Sequence, residues 1–196
     1  MTLLHLSDTH GLHRQIENLP LADVIVHTGD FCELGTIEEV EDFAEWFASL
    51  PHKHKIFVAG NHDDCLHGAA IEGLPKGVHY LCHSGIEIDG VYFYGLPMFV
   101  ADELNGDYEK AISRIPSDTD VLITHQPSYG ILDFTEGVHY GNVSLLSRVL
   151  CIKPRLHLFG HVHKANGKLE AHDTLYVNGS LVSGMKIAYT PQLIHL

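Results

Sequence analysis

The segment Ile56-Phe-Val-Ala-Gly-Asn-His-Asp63 joins a run of four apolar residues to a turn of glycine and three polar residues. A short apolar run bounded by glycine is typical of a buried β-strand. In open α/β sheets, the loops that follow the carboxyl ends of the strands form the ligand-binding site. The segment therefore predicts a buried strand whose loop presents Asn61 and His62 to such a site.

The same arrangement occurs at four other points along the chain. Short apolar runs precede Ser7-Asp-Thr-His10, Gly29-Asp30, His125-Gln-Pro127 and Gly160-His-Val-His163. Because ligand-binding loops gather outside the carboxyl ends of the strands, we expect the polar residues of all five segments to converge on one site.

The chemistry of these residues is that of a metal site. Carboxylate and amide oxygens together with imidazole nitrogens, without thiolate, suit borderline divalent ions such as Mn²⁺, Zn²⁺ or Fe. The candidate ligands are Asp8, His10, Asp30, Asn61, His125, His161 and His163. Seven ligands are too many for one ion, so they predict two ions about 3.5–4 Å apart that share a carboxylate.

Taken singly, most of these segments have an ordinary structural explanation. Asp is a common turn residue, and paired histidines arise by chance in a chain with 17 of them. The metal site is favoured because all five segments occur together and each follows an apolar run.

Other patterns indicate the fold class. Thr36 and Glu39 form a capping box before a helix with apolar residues on one face, and Pro51 ends that helix. The first half of the chain alternates strands and helices, whereas the second half, including predicted strands at 174–177 and 186–189, is mostly β. This order predicts an α/β sandwich of two facing sheets with helices outside.

Composition excludes several classes of function. The formal net charge of −13 leaves no basic surface for a long nucleic acid. No apolar stretch approaches the roughly 20 residues of a membrane span, and no signal peptide is recognisable. The 4 cysteines are scattered, which indicates free thiols and predicts a cytoplasmic location. The sequence predicts no particular oligomeric state.

The five segments, in this order, resemble the calcineurin-like metallophosphoesterase superfamily, whose pattern is D-x-H, G-D, G-N-H-[DE], a lone His and G-H-x-H. The resemblance implies a four-layer α/β-β/α sandwich of two mixed β-sheets flanked by helices, as a single domain over residues 1–196. It implies a first ion held by Asp8, His10, Asp30 and His163. It implies a second ion held by Asp30 as the bridge, Asn61, His125 and His161.

The resemblance also implies a mechanism. Two cations lower the pKa of a water bound between them, and the resulting hydroxide attacks phosphorus in line. His62 would lie beside the phosphate and assist the leaving oxygen. Glu33 occupies the position at which the protein-phosphatase branch carries the aspartate that orients this histidine. Two interpretations of Glu33 stay open, an orienting residue for His62 and a solvated turn carboxylate.

The chain departs from the protein phosphatases in one respect. No arginine follows Glu33, and Arg114, Arg148 and Arg155 lie outside the motifs, so a phosphoprotein substrate is not expected. The chain is more similar to the small single-domain branch, which includes phosphodiesterases that act on cyclic nucleotides. We therefore predict a hydrolase for small phosphodiesters or nucleotides, with Mn²⁺ as the first choice of metal and Fe, Zn²⁺ or Ni²⁺ as alternatives.

The sequence is also compatible with two other kinds of function. The same site would serve a phosphomonoesterase or a pyrophosphatase, and the fold would also serve a non-catalytic interaction module. Two segments are expected to shape specificity: 99–107 as a lid, and 128–140, whose Tyr129, Phe134, His139 and Tyr140 would stack on a base or aryl group, unless they are ordinary surface aromatics.

Overall fold

The computed structural model describes residues 1–196. In chain order the strands are β1 Thr2–Leu6, β2 Val24–His27, β3 His54–Phe57, β4 Val78–Tyr80, β5 Ser84–Ile88, β6 Val91–Leu96, β7 Val121–Thr124, β8 Phe134–Thr135, β9 Val138–His139, β10 Leu156–Phe159, β11 Gly167–Ala171, β12 Thr174–Asn178 and β13 Gln192–His195. The α-helices are α1 Ile37–Ser49, α2 Val100–Asn105, α3 Asp107–Ser113 and α4 Val143–Ile152.

The strands build two mixed sheets and a small hairpin of β8 and β9. The first sheet has the order β13-β1-β2-β3-β4, and the second sheet has the order β11-β12-β10-β7-β6-β5. Strands β1 to β4 are mutually parallel, as are β12, β10, β7 and β6. The edge strands β13, β11 and β5 run antiparallel to their neighbours. The parallel strands of each sheet therefore end together at one edge.

Three clusters of buried apolar side chains define four layers. The central cluster joins residues of both sheets, such as Val26 and Ile56 from the first and Phe93 and Ile123 from the second. A second cluster packs α1 on the outer face of the first sheet. A third packs α3 and α4 on the outer face of the second sheet. The predicted α/β-β/α sandwich of two mixed sheets is confirmed.

The capping box before α1 forms as the sequence predicts. The Glu39 amide donates to the Thr36 hydroxyl at 3.3 Å, and the Thr36 amide donates to the Glu39 carboxylate at 3.0 Å. Together the two bonds satisfy backbone amides at the helix start that have no partner within the helix. The apolar face of α1 buries Val40, Phe43 and Phe47 against the first sheet.

One local prediction differs from the structure. Residues 186–189 form no strand, and only an isolated bridge joins Val182 to Ile187. The final strand is β13, which pairs with β1 at the start of the chain. The segment 99–107, which is predicted to act as a lid, contains α2, which begins at Val100.

Two further expectations concern the cysteines and the membrane. All four cysteines are free thiols. None of the helices has the length and hydrophobicity that a membrane-spanning segment requires.

Candidate metal centre

All seven predicted ligands lie at the ends of five parallel strands. Those of the first sheet follow β1, β2 and β3, and those of the second sheet follow β7 and β10. The donor atoms of the aspartates and histidines form two groups, which a third group of His10, Asp30 and His62 links, and within each group the atoms lie within 4.8 Å of one another. The structure therefore brings together residues that are up to 155 positions apart in the sequence, Asp8 and His163.

The first group consists of Asp8, His10 and His163. The Nε2 atoms of the two histidines lie 3.2 Å apart, and His163 Nε2 lies 3.4 Å from Asp8 Oδ1. Asp30 Oδ2 is 3.9 Å from His10 Nε2. These four residues are the set that the resemblance implies for the first ion.

The second group consists of Asp30, His125 and His161. His125 Nε2 lies 3.3 Å from Asp30 Oδ2 and 3.2 Å from His161 Nδ1. Asp30 thus faces donor atoms of both groups, which is the position that a bridging carboxylate requires.

Asn61 supplies an independent test of whether these residues fit a metal. Its side-chain oxygen Oδ1 is buried and has no hydrogen-bond partner. A buried carbonyl oxygen without a partner is costly, and it calls for a ligand such as a cation or an ordered water. The predicted role of Asn61 as a ligand of the second ion would satisfy it.

The orientation of His125 fits the same function. Its Nδ1 donates to the backbone carbonyl of Thr28 at 2.8 Å, so in the neutral ring Nε2 carries the lone pair. Metal-binding histidines are commonly held in this way, because the hydrogen bond at one nitrogen fixes the other as the donor to the metal.

His62 lies beside the ligands. Its ring packs edge-on to His10 with centroids 4.6 Å apart, and its backbone amide donates to Asp30 Oδ1 at 2.8 Å. Its Nδ1 donates to the backbone carbonyl of Glu33 at 3.0 Å. The Glu33 carboxylate is 58% exposed and instead lies 3.4 Å from His10 Nδ1. Glu33 therefore contacts His62 through its carbonyl, whereas its exposed side chain faces His10.

The electrostatics keep both carboxylates ionised. Burial raises the pKa of Asp8, but the rings of His163 and His125 lower it by more, and the pKa stays below its ordinary value. The pKa of Asp30 is likewise low, because His125 outweighs the effect of burial. Burial lowers the pKa of His125, yet Asp30 and Asp8 raise it to about 9. A divalent ion bound here would take over the role of that proton, since metal binding displaces protons from its ligands.

The backbone around the centre is unusual. Four candidate ligands have positive φ angles: Asp8 (53°), His10 (43°), Asp30 (56°) and His161 (69°). This left-handed region is disfavoured for residues other than glycine and is typical of functional sites. Gly160 permits close packing there, because a Cβ at this position would collide with the side chains of Ser7 and Asp8.

Two further polar groups support the centre and were not among the predicted site residues. Asp63 is fully buried and accepts hydrogen bonds from the amides of Asp30 and Gly60, both at 2.8 Å. Ser180 follows β12 and donates to Asp8 Oδ2 at 2.7 Å. The sequence contains a pattern that indicates each of them. Asp63 lies in the turn that follows Ile56–Ala59, and Asn178-Gly-Ser180 is a sixth polar segment that follows an apolar run.

Comparisons with known proteins identify similar chains. A family model described as calcineurin-like phosphoesterase matches residues 1–165. A Caenorhabditis elegans protein, UPF0046 protein C25E10.12, is 34% identical in an alignment of 217 positions. The alignment covers 95% of this chain and 77% of the relative. Metallophosphoesterase domain-containing protein 1 of Homo sapiens is also 34% identical, and the match covers 89% of this chain but 64% of the human protein.

A solved structure shares the fold. The crystal structure of TT1561 of Thermus thermophilus superposes with a TM-score of 0.59 at 13% identity, covering 90% of this chain and 88% of the other. At this identity the likeness concerns the fold alone.

Proposed function

The chain belongs to the calcineurin-like phosphoesterase family, and from this premise we propose that it is a two-metal phosphodiesterase that acts on small esters. The observation that carries the proposal is Asp30, whose carboxylate faces both groups of donors. The buried Asn61 oxygen, which has no partner, supports it from the loop after β3. When bound, two divalent ions lower the pKa of water and neutralise charge on the phosphoryl oxygens.

The protein's own residues would supply positioning and a proton. His62 is held at Nδ1 by the Glu33 carbonyl, which leaves Nε2 available to donate to a substrate. In hydrolysis the P–O bond to the leaving group breaks as water adds to phosphorus, and the departing oxygen gains a proton. His62 Nε2 would donate it, as a general acid. The Asp30 carboxylate accepts a hydrogen bond from the His62 amide, and this bond holds His62 beside the donor atoms of both groups.

The charge around the centre favours a diester over a monoester. The cavity beside His62, about 430 Å³, is lined by Glu33 and Asp64 and by no lysine or arginine. A second cavity beside His163 contains one cation, Lys164, whose Nζ is paired with Glu136 at 2.6 Å. A monoester dianion or a pyrophosphate would therefore depend on the ions alone to neutralise its additional negative charge, whereas a diester carries a single charge.

The choice between esters is tested with two chromogenic substrates. We expect kcat/KM for bis-p-nitrophenyl phosphate, with Mn²⁺ present, to exceed that for p-nitrophenyl phosphate by about tenfold, a difference of roughly 1.4 kcal/mol in activation free energy. Faster turnover of the monoester would favour a phosphomonoesterase, and release of phosphate from pyrophosphate would favour a pyrophosphatase. Binding of a partner without hydrolysis of any ester would identify an interaction module, although the chain keeps every candidate ligand and His62.

The metal and the location are also part of the proposal. The oxygen and nitrogen donors suit Mn²⁺, with Fe, Zn²⁺ and Ni²⁺ as alternatives. Metal analysis of the purified protein, followed by reconstitution with each ion, distinguishes them. The cytoplasm stays the predicted compartment, supported by the free thiols, and fractionation of the source cells tests it.

A further inference from the structure

A second cavity adjoins the metal centre and shares no residue with the cavity beside His62. It measures about 240 Å³, and we call it the Tyr140 cavity. Its walls include Thr135, Glu136, Tyr140, His161, His163 and Lys164. Two of these are candidate metal ligands, so a phosphate held at the centre would extend a substituent directly into this space.

The wall formed by Tyr140 is held in place from several sides. The Tyr140 amide donates to the Asp133 carbonyl at 3.0 Å, and its own carbonyl accepts from Gln126 Nε2 at 3.3 Å. The buried Asp133 carboxylate accepts from the amides of Gly130 and Gly141, at 2.9 and 3.1 Å. The β8–β9 hairpin is therefore closed at its base, which fixes the Tyr140 backbone beside the centre.

The Tyr140 ring offers an uncovered surface to a ligand. The residue is 43% exposed, and its ring centroid lies 6.2 Å from that of His161. Aromatic side chains bind planar groups through stacked or edge-on contacts. A fixed aromatic wall next to a candidate metal ligand is thus suited to a ring attached to the phosphate.

The size and charge of the cavity limit which ligands it can bind. Pockets for drug-sized ligands measure about 300–1,000 Å³, so this smaller space suits a single ring system. Glu136 and Lys164 lie at the solvent-exposed rim, and their pairing leaves no free cation for a second phosphate. The favoured occupant is uncharged.

We propose that the Tyr140 cavity binds the ester group that stays on phosphorus, and that it selects an uncharged planar ring over an alkyl group or a second phosphate. The proposal rests on the proposed phosphodiesterase function, because only a diester retains an organic group after its leaving group departs. Tyr140 is a specificity-determining residue in this scheme, whereas His62 serves the departing oxygen.

The test uses two diesters with the same leaving group, bis-p-nitrophenyl phosphate and methyl p-nitrophenyl phosphate. Both release p-nitrophenolate, so the ratio of their kcat/KM values reports on the retained group. We expect Tyr140→Ala to lower the aryl-to-methyl ratio by about fivefold to tenfold. Tyr140→Phe keeps the ring and is expected to keep the ratio.

Tyr129 provides a matched control. It is 42% exposed in the same segment, but it packs on His139, with centroids 4.9 Å apart, outside the cavity. Tyr129→Ala is therefore expected to leave the ratio unchanged. Thr135→Trp, which fills the cavity without altering Tyr140, is expected to lower the ratio as Tyr140→Ala does.

The outcomes separate the two proposals. If the unmodified protein hydrolyses neither diester with Mn²⁺, the phosphodiesterase function fails and this inference fails with it. If it hydrolyses both, and Tyr140→Ala and Thr135→Trp keep the wild-type ratio while retaining metal, only the assignment of the Tyr140 cavity fails.

Discussion

The two sheets contribute different chemistry to the candidate metal centre. The first sheet supplies both carboxylates, Asp8 and Asp30, together with the amide of Asn61 and the histidines His10 and His62. The second sheet supplies only imidazoles, namely those of His125, His161 and His163. Each implied ion takes donors from both sheets. The negative charge that attracts the ions therefore belongs to one sheet, and the other completes their coordination.

Hydrogen bonds between the two sheets hold the ligands in place. Asp8 of the first sheet accepts the His161 amide and the Ser180 hydroxyl, both from the second sheet. His125 of the second sheet donates to the Thr28 carbonyl of the first. Each sheet thus orients ligands of the other, so that the centre depends on how the two sheets are packed as well as on the loops.

The largest effect is expected at Asp30, the ligand that faces both donor groups. Asp30→Asn should lower turnover by at least about 10³-fold, since loss of a single electrostatic contact in an active site already costs about 10²–10³. Metal analysis should show loss of both ions, whereas His125→Ala in the second sheet should lose only one.

A control for Asp30→Asn exists elsewhere in the chain. Asp89 has a similar φ of 49° in the turn between β5 and β6, and Asp89→Asn should leave turnover and metal content unchanged. Asparagine tolerates this backbone conformation, so the substitution changes charge rather than structure. Wild-type turnover in Asp30→Asn would contradict the bridging role.

His62→Ala tests the residue of the first sheet that is not an implied ligand. Its loss should lower kcat by about 10²–10⁴-fold on an alkyl ester, whose departing oxygen needs a proton, and by less on p-nitrophenyl esters, with both ions retained. Turnover and metal content are measured on the same sample. Loss of metal together with activity would instead make His62 a ligand.

Metal removal tests whether the ions join the two sheets. Ions that bind only the folded protein add about 2.7 kcal/mol of stability at a concentration 100 times Kd. For a chain of this size we expect chelation to lower Tm by about 5–10 °C, and readdition of Mn²⁺ to restore it. The same experiment on Asp30→Asn should show almost no shift, and an equal shift there would mean that the metal binds elsewhere.

The smallest effect is expected at Ser180, which reaches from the second sheet to Asp8. Ser180→Ala removes one hydrogen bond from a charged carboxylate ligand, a loss of about 1.5–3 kcal/mol, so metal affinity should fall about 10–100-fold. Titration with Mn²⁺ measures the change. An unaltered affinity would show that the backbone amide of His161 positions Asp8 without help from the hydroxyl.

The sequence was sufficient for the layers of the fold because its signals are local. Apolar runs such as Ile56–Ala59 precede polar turns, and the capping box of α1 lies within four residues. The strand predicted at 186–189 was wrong because the backbone there pairs with no neighbouring strand. Instead, the amides of Ala188 and Tyr189 both donate to the Leu181 carbonyl. The actual strand β13 pairs with the start of the chain, and no local pattern indicates so distant a partner.

The residues of the site were easier to name than their contacts. The pattern around Asp30 and His62 identified candidates, but it did not show that Glu33 would use its carbonyl for His62. Nor did it distinguish Asp63, whose buried carboxylate fixes loop amides, from the neighbouring residues of its turn. These differences depend on which atom of a residue faces inward, and residue type alone does not determine that.

The left-handed backbone conformation of four candidate ligands has a consequence for protein engineering. Each such residue costs about 1 kcal/mol relative to glycine, so Asp8, His10, Asp30 and His161 make the metal-free chain less stable than it would otherwise be. A library screened for heat resistance in the presence of a chelator would therefore not select for these residues as metal ligands, and it would admit glycine or asparagine at these four codons. Any stabilised version intended to keep its chemistry must hold them constant during selection.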